Sequence, residues 1–389
     1  MRLLFVTDYS EQFAFRLLKG IQQYSQDSGE RWVVCRMPSS YMHRKGLKEV
    51  VKWAVQWRAD VVIGQFKPND NVGLFRKKGI VAMAQDYITP FEELPNITAN
   101  YEKMGRMAAD RFMARGFKNF AFFGNNGMCW SDRRQKGFKD RLEEAGFGDH
   151  VFIYDRQRIE NLWYYNQSLL SNWLESLPRP VAIMTCDDNQ GSILLEACSI
   201  LGYRVPFDVA VIGVDNDPIL CNMSDPALSS IDVDIEKGGY EAAAMADRMV
   251  KDPSFKGEDI VLQPLSVISR MSSNVFATTD TAIHAALQFI NGNIEHKIQV
   301  SDVLEHVPVS RRLLEQRFHK ETGLTIYQYI TKLRIERFAQ LLLSSKDSIS
   351  GIAARLDEPD TKSISRRFQA VKGCTPSEYR KRFLRKLGG

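Results

Sequence analysis

Polar side chains follow several short apolar runs in the first 270 residues, at the points where strands of a sheet are predicted to end. Such points include Gln85-Asp86, Thr185 to Asp188, and Asp215 to Asp217. Carboxylates and amides exchange hydrogen bonds with hydroxyl groups, and an aromatic face such as that of Trp130 packs against sugar C–H groups. This composition suits a neutral polyol better than a phosphate. Asp86, Asp188, Asp215 and Trp130 are therefore candidate ligand contacts.

These candidates also have purely structural interpretations. Asp215 could cap the turn before Pro218, and Asp187 or Asp188 could cap the helix that follows. The adjacent carboxylates could instead form a general-acid pair, but neighbouring side chains at a strand end point in opposite directions, which disfavours joint catalysis. Trp130 could equally be a core or lid residue.

The sequence contains little that favours an enzyme. No P-loop is present and no GxGxxG motif opens the first helix, so a nucleotide site is not supported. No nucleophile–base pair and no cluster of metal ligands is evident, and the six cysteines are scattered. We therefore expect no cofactor and no metal, and a sugar hydrolase built on the strand-end aspartates is the weaker interpretation.

Short apolar runs alternate with amphipathic stretches through this part of the chain, which predicts a parallel, doubly wound α/β architecture. Strands are predicted at 3–7, 32–36, 61–64, 79–84, 120–124, 151–154, 181–185 and 209–214. Helices are predicted at 13–24, 47–58, 101–115, 133–145, 165–176 and 190–201. Ligands of such sheets bind beyond the carboxyl ends of the strands, where the candidate contacts stand.

The last quarter of the chain has a different pattern, with two pairs of short amphipathic helices. The segments 300–307 and 310–320, with Ser310 as N-cap, predict one helix-turn-helix. The segments 349–356 and 361–372, with a turn at 357–360, predict another, and a long helix at 325–344 would hold the two at a fixed distance. Outward-facing polar residues on the second helix of each pair are candidate DNA contacts: Arg311, Arg312, Glu315, Gln316, Thr361, Lys362, Ser365, Arg366 and Arg367.

The chemistry of these side chains suits base recognition. Arginine pairs with guanine, glutamine pairs with adenine, and glutamate accepts from the cytosine amine. Glu315 could instead only orient Arg311 or Arg312. The inward face of the last predicted helix carries Ile364, Phe368 and Val371.

Charge is distributed unevenly between the two parts. Residues 281–389 hold 19 Lys and Arg against 11 Asp and Glu, a net of +8, which leaves the other residues with a net of −3. The basic C-terminal part is therefore the one suited to a polyanion. A solvated basic face without a partner is the alternative.

The C-terminal residues resemble the closing signature of the AraC-type transcription regulators; the matching residues are Ile352, Ala353, Phe368, Gly373, Thr375, Pro376, Tyr379 and Arg380. In that family, the positions of Arg312, Glu315 and Gln316 contact bases. The chain departs from the family at Asp357-Glu358, where Gly-Phe is usual, at Ile364, where Phe is usual, and at Gln369, where Lys is usual. Asp tolerates a left-handed turn, but an acidic pair beside the recognition helix is expected to lower DNA affinity.

Motifs of the first 270 residues resemble the LacI/periplasmic sugar-binding fold, which has two α/β lobes around a cleft. They are Arg134-Gln135-Lys136-Gly137-Phe138, Thr185 to Asp188, and Val211 to Asn216. The resemblance implies that Arg134 and Asp215 hydrogen-bond the effector; the structural alternative for Arg134 is a surface ion pair with Asp132. The order of the two domains is similar to that of the xylose operon regulators. The loop at 9–15 looks longer than in that group, which leaves open xylose, another pentose or a related sugar.

These observations predict a sensing domain at 1–270, a linker at 271–280 and a DNA-binding domain at 281–389. No secretion signal or membrane-length apolar run is evident, so a cytoplasmic location is expected. The expected function is a sugar-responsive transcription regulator, an activator of pentose (xylose) utilisation genes that works as a homodimer. Its expected partners are double-stranded DNA and the sugar, with RNA polymerase as a further candidate and no membrane. The remaining alternative is a sugar-binding module whose C-terminal helices bind a protein.

Overall fold

The computed structural model describes residues 1–7, 12–154, 167–278, 280–345, 347–358 and 360–381. Parts of the loop at 9–15, of the predicted helix at 165–176 and of the turn at 357–360 lie outside the described residues. No helix in these described ranges is both long and apolar enough to cross a lipid bilayer.

Strands of the described residues form two six-stranded sheets, each at the centre of its own lobe. The strands are β1 Arg2–Thr7, β2 Val33–Pro38, β3 Val61–Gly64, β4 Val81–Gln85, β5 Asn96–Ala99, β6 Asn119–Phe123, β7 Val151–Ile153, β8 Val181–Thr185, β9 Val209–Val214, β10 Ser229–Val233, β11 Ile260–Leu262 and β12 Pro264–Ile268. Lobe 1 has the order β11-β5-β4-β3-β1-β2, and lobe 2 has the order β12-β10-β9-β8-β6-β7. Neighbouring strands are parallel except for β10 and β12. The predicted doubly wound α/β architecture is confirmed.

Helices cover both sheets and form the C-terminal part of the chain. They are α1 Gln12–Ser28, α2 Ser39–Lys45, α3 Leu47–Trp57, α4 Gly73–Arg76, α5 Tyr101–Met113, α6 Cys129–Glu144, α7 Gln167–Ser176, α8 Asp188–Ile200, α9 Pro218–Met223, α10 Ile235–Lys251, α11 Thr281–Gly292, α12 Val300–Glu305, α13 Arg311–Thr322, α14 Ile326–Ser344, α15 Ile349–Arg355 and α16 Thr361–Lys372. The sequence did not predict α2, α4, α9 or α10, nor strands β5, β10, β11 and β12.

Three chain crossings join the lobes, at Asn100, Asp234 and Gln263. They are hydrogen-bonded side by side: the Asn100 amide donates to the Leu262 carbonyl (2.9 Å), and the Asp234 amide donates to the Gln263 carbonyl (3.1 Å). The Gln263 amide in turn donates to the Asp234 carboxylate at 2.6 Å. These crossings form a narrow hinge about which the lobes can rotate.

The glycine of the Arg134 motif serves helix packing. A Cβ at Gly137 would lie 2.1 Å from the Glu102 carbonyl oxygen, so only glycine lets α6 approach α5 this closely. This contact fixes α6, which carries Trp130 and Arg134, against the first turn of α5.

The helices α11 to α16 form a separate helical domain with two units. Unit 1 consists of α11, α12 and α13, unit 2 consists of α15 and α16, and α14 packs against both. The predicted inward residues Ile364 and Phe368 of α16 are buried. Large apolar residues of α14 are buried as well: Ile326, Tyr329, Ile330, Leu333, Phe338, Leu341 and Leu342. The prediction for Val371 was wrong: it lies in the last turn of α16 and is 42% exposed. Asp357 adopts a left-handed conformation (φ 51°), so the turn survives without glycine.

The predicted linker at 271–280 is largely packed against lobe 2. Ser272 donates from its hydroxyl to the Val211 carbonyl (2.7 Å), and its amide donates to the Ala227 carbonyl (3.0 Å). On the other side, the Tyr329 hydroxyl of α14 donates to the Asn274 carbonyl at 3.2 Å. The helical domain is therefore attached to lobe 2 through a buried segment rather than a free tether.

Candidate functional site

The five predicted ligand contacts lie together around one cleft between the lobes. Asp86 follows β4, Trp130 and Arg134 lie on α6, Asp188 begins α8, and Asp215 follows β9. The cleft has a volume of about 590 Å³, counting the solvent at its mouth. Further residues that line it are Gln12, Phe13, Gln65, Gln85, Tyr101, Asp187, Asn189, Asp217 and Leu220.

Arg134 is held rigidly at the floor of this cleft and is only 3% exposed. Its guanidinium donates to the Cys186 carbonyl and to Oδ1 of Asp215 (3.3 Å). The rings of Tyr101 and Trp130 lie 5.2 and 5.5 Å from its guanidinium carbon, within the range of cation–π attraction. The alternative of a surface pair with Asp132 is not observed, since Asp132 accepts from the Gly127 amide instead.

The capping roles fall to the neighbours of the predicted contacts. Asp187 caps α8 by accepting from the Gln190 amide at 2.7 Å. Asp217 caps α9 by accepting from the Ile219 amide at 2.7 Å. Because Asp187 and Asp217 accept hydrogen bonds from the free backbone amides at the starts of α8 and α9, the side chains of Asp188 and Asp215 are not needed as caps and can line the cleft.

Asp188 is oriented by the backbone on either side of it. Its Oδ2 accepts from the Asp217 amide at 2.7 Å, while its buried Oδ1 has no hydrogen-bond partner of normal geometry. A Cβ at Gly213 would lie 2.2 Å from that Oδ1, so the motif glycine makes room for the carboxylate. Burial raises the pKa of Asp188 well above its usual value, and the nearby Asp215 carboxylate raises it further. The nearby Ser230 hydroxyl lowers the pKa of the carboxyl and so offsets part of the effect of burial.

Asp86 is the second carboxylate with unused hydrogen-bonding capacity. Both of its oxygens are buried and neither has a hydrogen-bond partner of normal geometry. Burial raises its pKa, and the hydroxyl groups of Thr98 and Tyr101 offset part of that effect. Donors from a bound hydroxylated ligand would supply what this carboxylate lacks.

The raised pKa of Asp86 predicts a pH dependence of stability in the free chain. Above the ordinary carboxyl pKa of 3.8, the unfolded chain loses this proton first, so the free energy of unfolding falls as the pH rises towards the folded-state pKa. Asp86→Asn should therefore raise the melting temperature at pH 7 by about 2 °C. This difference should vanish below pH 3.8. Thermal unfolding followed by circular dichroism from pH 3 to pH 8 measures it. The surface variant Asp140→Asn is the control, and an Asp86→Asn curve that parallels the wild-type curve at every pH would contradict the prediction.

Arg16 of α1 is a site residue that the sequence did not reveal. It is 8% exposed and crosses from lobe 1 to lobe 2, where it donates to the Asp215 carbonyl (2.8 Å) and to Asp232 (3.1 Å). It also donates to Glu236 of α10 at 2.6 Å. One arginine in an amphipathic helix gives no signal of partners about 200 residues away. The sequence also did not predict that Tyr101 lines the cleft, since nothing distinguishes it from an ordinary first residue of a helix.

The candidate DNA contacts of unit 1 share one exposed face of α13: Arg311, Arg312, Glu315 and Gln316. Nε of Arg311 donates to Glu315 at 2.9 Å, so in the free chain Glu315 does orient an arginine. Ser310 stands at the N-cap position, but its side chain makes no capping hydrogen bond.

The candidates of unit 2 are less uniform. Lys362 and Arg366 are exposed on α16, whereas Thr361 and Ser365 are half-buried. Arg367 turns towards the preceding turn, where its guanidinium lies 2.6 Å from Glu358.

Family models match two parts of the chain. Residues 109–273 match a family model described as a periplasmic binding protein-like domain, and residues 303–382 match one described as a helix-turn-helix domain. The chain is 27% identical to the xylose operon regulatory protein of Haemophilus influenzae, covering 94% of each chain. It is 26% identical to the protein of that name from Escherichia coli K12, covering 97% of this chain and 96% of the relative. A solved structure of a xylose-binding transcription activator superposes with a TM-score of 0.70 at 25% identity, over 98% of this chain and 97% of the other.

Proposed function

We propose that the chain, a DNA-binding transcription regulator that resembles the xylose operon regulators over nearly its whole length, responds to a pentose bound between its lobes. The observation that carries the proposal is the cleft itself. Asp86 and Asp188 present buried carboxylate oxygens that lack a hydrogen bond of normal geometry, beside the ion pair of Arg134 and Asp215. Relatives of this architecture are described as regulators, which favours regulation over sugar hydrolysis.

The chemistry of the cleft fits a small neutral sugar. Sugar hydroxyls would donate to the carboxylates of Asp86, Asp188 and Asp215, and the guanidinium of Arg134 would donate to a hydroxyl or ring oxygen. The aromatic face of Trp130 would pack against C–H groups of the sugar ring. Relatives are named for xylose, so D-xylose or a closely related pentose is the effector we propose.

DNA recognition is assigned to the helical domain. In this proposal α13 enters one major groove with Arg311, Arg312, Glu315 and Gln316, and α16 enters the next with Thr361, Lys362, Ser365 and Arg366. Because α14 packs against both units, the two recognition helices stay a fixed distance apart. We propose that the chain acts in the cytoplasm as a homodimeric activator of pentose utilisation genes, with RNA polymerase as a partner.

The route from sugar to DNA would run through the loop after β9. Asn216, next to Asp215, accepts from the guanidinium of Arg270 at 2.7 Å. Arg270 also donates to the Leu228 carbonyl (2.9 Å) and immediately precedes the buried segment that leads to the helical domain. A sugar shifts such an equilibrium only by binding one arrangement of the lobes more tightly than the other.

A panel of sugars tests the effector assignment with the full chain. Differential scanning fluorimetry with D-xylose, L-arabinose, D-ribose and D-glucose should show stabilisation by at least one pentose, since a ligand at 100 times its Kd adds about 2.7 kcal/mol to the free energy of unfolding. D-Glucose, with its extra hydroxymethyl group, should stabilise less. No shift with any pentose at millimolar concentration would overturn the proposal.

A further inference from the structure

The turn between the two helices of unit 2 contains a buried acid. Glu358 is 8% exposed, although it stands in a surface turn. Its Oε2 lies 2.6 Å from the guanidinium of Arg367 on α16 and 3.7 Å from the guanidinium of Arg334 on α14. One carboxylate therefore faces cations from two different helices.

Arg334 extends this contact to unit 1. It is 4% exposed and donates to the carbonyls of Ile294 and His296, which follow α11. Its other terminal nitrogen donates to the Leu356 carbonyl at the end of α15. The side chain thus joins the loop after α11, the helix α14 and the turn of unit 2.

A buried guanidinium of this kind needs a counter-charge. Burial lowers the pKa of Arg334, Glu358 raises it and Arg367 lowers it further, so Glu358 separates two like charges. Removing one partner of a buried ion pair leaves an uncompensated charge, which is strongly unfavourable. The acidic residue in the turn is therefore what allows Arg334 and Arg367 to approach each other.

We propose that Glu358 is a positioning residue that fixes α16 on α14 through Arg367 and Arg334, and so sets the spacing between the two DNA elements that one chain reads. Arg367 then acts inside the domain rather than on DNA. This inference rests on the proposed DNA-binding function. It also reverses the expectation that the acidic turn only lowers DNA affinity.

The test uses the full chain and a DNA duplex that it selects from a random pool. Spacer variants of that duplex, with one or two base pairs added or removed between the two elements, are then compared by fluorescence anisotropy. Wild type should show a sharp optimum. Glu358→Gln should bind the optimal duplex about tenfold more weakly and show a flattened spacing profile. Its affinity for a duplex with only the second element should be unchanged. The exposed acid variant Glu305→Gln is the control for the change in net charge.

Arg367→Gln separates positioning from direct contact, and it serves as the second variant if Glu358→Gln does not fold. A positioning role predicts the same flattened profile, and the double variant should be no weaker than either single variant. A direct DNA contact predicts an equal loss at every spacing, including on the single element, and additive effects. Selection of DNA by wild type, together with an unchanged spacing profile in both variants, would overturn this inference alone. Failure of wild type to select any DNA would overturn the proposed function with it.

Discussion

Replacing Asp215 by asparagine is expected to weaken binding of the stabilising pentose about 100-fold, because a charge-assisted hydrogen bond becomes a neutral one. The change also removes the carboxylate partner of Arg134, which lies 3.3 Å away. Isothermal titration calorimetry of the full chain measures the affinity. Asp140→Asn, on the outer surface of α6 where the carboxylate pairs with Lys136, is the matched control.

The geometry of Asp215 makes asparagine an informative substitution. Asp215 has φ 95°, and Asn is one of the few residues that also tolerate positive φ. Arg16 bonds to the main-chain carbonyl of residue 215, so that contact between the lobes does not depend on the carboxylate. The backbone of this turn and its contact with Arg16 should therefore be retained in the variant, although Arg134 loses its counter-charge. An unchanged affinity would show that the carboxylate does not contact the sugar.

Replacing Arg312 and Arg366 together by alanine is expected to lower affinity for the selected DNA about 1,000-fold, since a well-placed arginine contributes about 1–3 kcal/mol at each position. Both side chains are exposed, one on each recognition helix. The salt dependence of binding should also become shallower, because fewer counterions are released. Fluorescence anisotropy at several salt concentrations gives both quantities.

The control for this double variant removes the same charge elsewhere. Arg76→Ala with Lys78→Ala takes two exposed cations from lobe 1 and should leave DNA affinity within about twofold at moderate salt, where distant charges are screened. Equal losses in both pairs would show that net charge, rather than contact by α13 and α16, governs binding.

The positions of the candidate site residues in the fold could be predicted from the local sequence, because strand ends and helix caps depend on residues that are adjacent in the chain. The apolar run 209–214 placed Asp215 at a strand end, and the carboxylates of Asp187 and Asp217 satisfy the neighbouring helices. The five predicted ligand residues consequently meet in one cleft, although their contact with a sugar stays a prediction. The predicted helix from about 361 to 372 matches α16, since Gly373 and the periodic apolar positions mark it.

Contacts across long sequence separations were not predictable in the same way. Strand β10 begins with Ser229 and Ser230, which are buried although serine is polar, because hydroxyl hydrogen bonds such as that from Ser229 to the Arg270 carbonyl compensate. The partners of Arg16 lie in the loop after β9, on β10 and on α10. From the sequence alone, Glu358 was expected to lower DNA affinity. Its counter-charges, Arg334 and Arg367, come close to it only in the folded chain, so the sequence did not indicate them.

The attachment of the helical domain has a mechanical consequence. Residues 271–275 are packed against lobe 2, whereas α1 of lobe 1 faces Leu343 and Tyr379 across an open cleft. Because this segment is buried in lobe 2, we expect lobe 2 and the helical domain to move as one body relative to lobe 1 when the lobes rotate. A small rotation about the three chain crossings at Asn100, Asp234 and Gln263 would close the lobes around a sugar. Because a recognition helix lies far from this hinge, the same rotation would displace it over a larger distance.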